Sequence, residues 1–354
     1  MSVQINKQRE IKSFERLKDL KAFHFIIEDS NLTRLFLIMI FIFVLMTAMK
    51  PELFPTIDNL SSMAFQFPEF GILAIAMMIA MLTGGIDLSI IGIANLSGIL
   101  AALTMVKLIP EGSSFNHVML VILLAMAVSA LTGILCGLFN GFAVARIGIP
   151  PILTTLGTMQ LFTGIAIVIT KGTAVYGLPA QFSYIGNGTL WILPIPLMIF
   201  IVFAAIFTVI LHKTSFGLKL YMMGTNPTAS RFSGINNAVM LMKTYMMSGL
   251  LAAFSGLIII ARTNSAKADY GTSYTLQALL VAVMAGVNPN GGFGKVTGIV
   301  FAVLTLQFLS SGFNMLHFSN FFKDFVWGAV LLIVMVTNYI INHSKKKVSK
   351  NTNK

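Results

Sequence analysis

Apolar residues run through this chain in long blocks, with no alternation of the kind a half-buried strand shows. The blocks are Leu35–Met49, Leu60–Leu82, Ser89–Val106, Val118–Val144, Ile152–Ile169, Leu190–Leu211, Thr244–Ala261, Leu276–Val287, Val296–Leu316 and Phe325–Ile341. A hydrocarbon core of about 30 Å takes about 20 helical residues to cross. The pattern therefore predicts an all-α integral membrane protein with about ten transmembrane helices.

Two apolar stretches, one in each half, are broken by glycine. Met81–Gly92 (MLTGGIDLSIIG) contains Gly84 and Gly85, and Met284–Gly298 (MAGVNPNGGFGKVTG) contains Gly291, Gly292 and Gly294. Unwound backbone inside a bilayer needs polar company, so paired broken helices point to a transporter's substrate path. In the second stretch, Asn288, Pro289 and Asn290 with the glycines read either as a loop of close backbone approach or as an ordinary cytoplasmic turn.

Ahead of the first block, Ile11, Phe14, Leu17 and Leu20 stand three apart, with Lys12, Arg16, Lys18 and Lys21 between them. That spacing suits an interfacial helix or a solvated amphipathic tail. The chain divides into a basic N-terminal segment (1–33), a permease domain (34–342) with a cytoplasmic loop (212–243), and a basic tail (343–354). The first thirty or so residues lack the pattern of a cleavable signal, so the first apolar block reads as an uncleaved span.

Composition agrees. Of 354 residues, 56% are hydrophobic and 10% charged, which excludes a soluble globular domain. The net charge of +12 would suggest nucleic acid in a soluble protein. Here the cations follow the loops: with the N-terminus in the cytoplasm, eighteen Lys and Arg fall inside and six outside. This bias puts both termini in the cytoplasm, with the lipid bilayer as surroundings and no nucleic-acid partner. The outer loops are short, so no receptor domain for solute is attached. The largest inner loop, His212–Lys243, carries four cations and no acid, and reads as a docking surface.

Chemistry of its own is hard to find. Cys136 is the single cysteine, which excludes an internal disulfide and a cysteine-ligated metal. His24, His117, His212, His317 and His343 show no ligand spacing, so no metal site is expected. Gly291–Lys295 lacks the leading glycine and the trailing Ser or Thr of a phosphate-binding loop. The chain is expected to be a non-enzyme without cofactor, any ATP being bound by partner subunits.

Asp87 is the one acid placed well inside the membrane. It reads as a path-lining residue or, with Ser89, as a cap for the run Ile90–Val106. Asn95, Asn140, Gln160, Gln277, Gln307 and Asn314, with Thr154, Thr155 and Thr158, are expensive in lipid and should face the bundle interior, as path or as glue between helices. From this set, Asp87, Asn95, Asn140, Thr155, Gln160, Gln277 and Asn314 are the candidate path residues. Uncharged amides and hydroxyls suit a neutral, hydroxylated solute.

Several ordered motifs carry a family likeness. Thr83–Ser89 (TGGIDLS) resembles the signature of ribose-type permeases, the membrane subunits of bacterial ATP-binding-cassette (ABC) importers for monosaccharides. Asn140–Gly141, Thr155–Met159 (TLGTM), Tyr245–Gly256, Gly271–Gly286 and Gly291–Gly294 follow the same family in order. Gly224–Ile235 (GTNPTASRFSGI) is similar to its cytoplasmic coupling segment, with Gly224, Asn226, Pro227, Ala229, Arg231, Ser233 and Gly234 in place. The likeness covers residues 59 to 337.

It implies a permease in the bacterial inner membrane that works with two ATP-binding subunits, a second permease (a copy or a paralogue) and an extracytoplasmic solute-binding protein. A monosaccharide is the implied cargo, with autoinducer-2 or a nucleoside as relatives' alternatives; Gly177–Ala180 (GLPA) occurs in sugar and autoinducer types. Asn226 and Pro227 would start a short coupling helix, and Arg231 would meet the ATPase or a lipid headgroup. Two departures stand out. Ile90 and Ile91 precede Gly92 where the family has an earlier glycine, and Tyr274–Gln277 (YTLQ) lacks both acids of the family's Tyr-Glu-Leu-Asp. An ion-coupled carrier is the competing class, and of the acids only Asp87 offers itself to one.

Overall fold

The computed structural model describes residues 30–319 and 321–336. The expected N-terminal amphipathic segment and the basic tail lie outside the described residues. "Inner" and "outer" below follow the Lys and Arg bias.

The first half contains α1 (Ser30–Met49), α2 (Ile57–Leu82), α3 (Ile90–Leu108), α4 (Phe115–Phe142, prolonged by a π turn, Ala143–Ile147) and α5 (Pro151–Thr170). An outer excursion follows, with β1 (Val175–Tyr176), α6 (Ala180–Asn187) and the hairpin β2 (Thr189–Leu190) and β3 (Leu193–Pro194). Then come α7 (Ile195–Lys213), the inner helices α8 (Ser215–Thr225) and α9 (Pro227–Phe232), and the long α10 (Asn237–Thr263). The chain closes with β4 (Ser265–Ala266), α11 (Tyr274–Met284), α12 (Val296–Met315) and α13 over residues 321–336.

Eight described helices are long and apolar enough to cross a membrane. Two expected spans differ. Leu190–Leu211 yields a helix only from Ile195, because Leu190 and Leu193 are paired in the hairpin and Pro194 and Pro196 start the helix instead of continuing one. Leu276–Val287 yields an 11-residue helix, α11, long enough for about half a span. Before it the polar stretch Lys267–Ser273 stays extended or turned, with Gly271 at φ 61°, and after it Gly286 at φ 79° ends the helix. What should be one crossing is thus a non-helical outer part joined to an inner half-helix.

The helices α2 and α10 form the interior. From Phe67 to Leu82 every residue of α2 is buried. On α4, Gly133, Gly137 and Gly141 recur every fourth residue, and a Cβ at any of them would strike the backbone of α10 at Gly249, Tyr245 or Met242. Backbone-close crossing of this kind replaces the hydrophobic drive that lipid does not supply. By contrast α4 and α7 turn mostly apolar residues outward, including Leu120, Leu123, Leu131 and Leu135, and Ile201, Val202 and Val209.

A candidate translocation and coupling site

The first break starts where α2 ends at Leu82. Thr83 donates its hydroxyl to Ala80 O at 2.7 Å, and Gly84 follows at φ 81°, a left-handed turn that an L side chain resists. Asp87 is fully buried and its two oxygens join two elements. Oδ1 accepts from Ser89 N at 3.1 Å and Ser89 Oγ at 2.6 Å, and Oδ2 accepts from Ser248 Oγ of α10 at 2.7 Å. Asn140 of α4 donates to Ser89 Oγ at 2.7 Å, and Thr155 of α5 donates to Ile86 O at 3.0 Å. Asp87 thus closes a local turn and ties it to α10, while Ser89 and Ile86 add the bonds to α4 and α5; Ser89, expected to cap α3, makes no side-chain capping bond.

The second break lies against the first. Gly292 N donates to Leu82 O at 3.0 Å, and Gly291 stands at φ 94°. A Cβ on Gly291 would lie 2.8 Å from both Gly84 N and Gly224 O, so three backbone segments meet where no side chain fits. Gly224 belongs to α8, whose Tyr221 donates to Gly294 O at 2.7 Å. Asn226 ends α8 and caps α9 by accepting from Ala229 N at 3.0 Å, with Pro227 at the first helical position. Asn237, opening α10, donates to Pro227 O at 2.8 Å and accepts from Ser230 Oγ at 2.9 Å. Ala229, Arg231, Ser233 and Gly234 are exposed, and so is Phe232, at 90%.

The remaining expected path residues are spread out. Asn95 donates to Ala268 O and Tyr270 O, both at 2.9 Å, pinning the non-helical segment before α11 to α3. Gln277, in the first turn of α11, donates to Ser273 Oγ at 3.3 Å. Gln160, mid-way along α5, is exposed. Asn314 is exposed near the outer end of α12 and bonds Lys323.

One feature overturns a reading of the sequence: Asp87 is not the only acid within the membrane region. Glu69 of α2 is fully buried and forms an ion pair with Arg262 in the last turn of α10. Tyr274 of α11 donates to the same Glu69 oxygen at 3.3 Å. Nearby on α2, Gln66 accepts from Gln307 of α12 at 3.5 Å. The signal in the sequence was Pro68–Glu69 inside an apolar block, but its partners stand about two hundred residues on.

This is a polytopic permease with paired helix breaks and an inner helical module seated on them. A family model described as "branched-chain amino acid transport system / permease component" matches residues 59–335. The "Autoinducer 2 import system permease protein LsrD" of Yersinia pestis (strain Pestoides F) is 31% identical over 279 residues, covering 77% of this chain and 80% of the relative. The protein of that name from Yersinia pseudotuberculosis serotype O:3 (strain YPIII) is 30% identical over the same length. No solved structure matches. The chain belongs to this family of ABC-importer permease components and is a multi-pass inner-membrane protein.

Proposed function

We propose that the chain imports a small, neutral, hydroxylated solute of monosaccharide type, handed over by an extracytoplasmic binding protein and driven by two ATP-binding subunits. A second permease, a copy or a paralogue, completes the path, and this chain itself binds no ATP and does no covalent chemistry. One observation carries the reading: α8 and α9 are continuous with both glycine breaks through Gly224, Tyr221 and Asn237. A push on the exposed face of α9 is carried to Leu82 and Gly292 by the backbone contact at Gly224, and to the start of α10 by the side chain of Asn237.

The chemistry of the solute rests on Gln66, Gln277 and Gln307, which offer amide groups. The second permease is supported by α5, where Gln160 is exposed between Gly157 and Gly164, and a Cβ on either glycine would meet nothing within 4 Å. An exposed amide at mid-span is costly against lipid and favourable against a second protein. Autoinducer 2 is the second reading for the cargo, favoured by the name of the two relatives.

Reconstitution tests this. Uptake into vesicles should require ATP, the ATPase subunits and the loaded binding protein, and should survive a proton uncoupler. Uptake by this chain alone, abolished by the uncoupler, would replace the reading with an ion-coupled carrier. Calorimetry of the binding protein with monosaccharides and with autoinducer 2 decides between the two cargoes.

A further inference from the structure

Glu69 lies about 20 Å along α2 from Leu82, in the outer half of a core about 30 Å thick. Its carboxylate joins three helices: α2 through its own backbone, α10 through Arg262 and α11 through Tyr274. Ser255 of α10 adds a bond to Glu69 O at 2.8 Å. The match is incomplete, since Glu69 Oε2 and Arg262 Nε are buried without a hydrogen-bond partner. With Glu69 fully buried and Arg262 29% exposed, a half-satisfied pair of this kind is a poor way to hold a static bundle together, because desolvation of the carboxylate offsets much of its attraction.

Both partners of Glu69 are also wired to the inner module, by separate routes. Arg262 rides on α10, an unbroken helix of about 38 Å from Asn237, which is itself bonded to α9 at Pro227 and Ser230. Tyr274 rides on α11, whose far end leads into the Gly291–Gly294 loop held by Tyr221 and Gly224 of α8. Glu69 itself stands on the most enclosed helix of the fold. Movement of α8 and α9 thus reaches Arg262 along α10 and Tyr274 along α11, while α2 is held at its inner end, where Gly292 bonds Leu82.

We propose that Glu69, Arg262 and Tyr274 form an outer latch on the transport path, made and released once per cycle by motion arriving along α10 and α11. These are positioning residues: they set when the path opens outward, and the unmatched Oε2 and Nε are the atoms that re-pair in the other state. The proposal rests on the ATP-driven reading above.

The test uses the complete transporter, permease with ATPase and binding protein, in nanodiscs and vesicles. Glu69→Gln and Arg262→Gln should each raise ATP hydrolysis without binding protein several-fold and lower solute moved per ATP about tenfold. The double variant should be no worse than either single. Tyr274→Phe, which removes one hydroxyl, should shift both readouts the same way by about two- to fivefold; it decides the matter if the charge variants fail to assemble. Additive single effects, or solute per ATP unchanged in Tyr274→Phe, would overturn the latch. Absence of ATP-driven uptake in the unmodified transporter would instead overturn the function proposed above and leave hydrolysis as the readout of the latch.

Discussion

Replacing Asp87 by alanine removes three hydrogen bonds at once and leaves Ser248 facing a buried gap. Each abandoned donor costs about 1–3 kcal/mol when buried, and the Asn140–Ser89 bond loses its anchor with them. We expect Asp87→Ala to lower the thermal midpoint in detergent by about 5 °C. Asp87→Asn should recover part of that loss, because its carbonyl oxygen still accepts from Ser89. Equal midpoints for the alanine variant and the unmodified chain would show that the turn holds without this network. Glu69 is the opposite case at the same scale, being costly to hold and only half matched.

At the scale of elements, α9 is the exposed helix on which the coupling proposed above depends. Its cap and its proline fix the helix locally, so substitutions on the exposed face should leave the fold intact. Arg231→Glu and Phe232→Ala are each expected to weaken co-purification of the ATPase subunits about tenfold, with the permease's gel-filtration profile unchanged. Undiminished association in both would move the docking surface elsewhere. The start of α9 was legible in the sequence because Asn226-Pro227 is a local signal, and so were the glycine breaks. Phe232 was not, because nothing in a six-residue helix tells an exposed aromatic from a buried one. The shortness of α11 was legible too, since Leu276–Val287 is far shorter than the roughly 20 residues of a crossing, but not that the turned stretch Lys267–Ser273 takes the place of the missing half. The pairing of Glu69 with Arg262 lies beyond any local pattern. The glycines of α4 show their spacing in the sequence, but not that α10 is what they admit.

For the molecule as a whole, α5 distinguishes one side from the others. Greasy faces on α4 and α7 suit lipid; α5 is apolar outward too, at Leu153, Leu161 and Val168, but sets Gln160 and two uncrowded glycines among them. Gln160→Leu should leave this chain folded and reduce cross-linking between two permease subunits several-fold. Unchanged cross-linking would assign that face to lipid.

The crossing that is only half helical has an electrical consequence. Lys267 and Asp269, paired at 2.8 Å and open to solvent, sit on its non-helical part, and such charges belong in water. If water reaches down to Tyr274, the membrane voltage no longer falls across the full thickness of the bilayer. It is concentrated over the roughly 16 Å of α11, about doubling the field there. A neutral cargo crosses that steep zone without electrical work, whereas an ion would do nearly all of its electrical work within it, although the total, about 2.3 kcal/mol per charge per 100 mV, stays that of an unfocused bilayer.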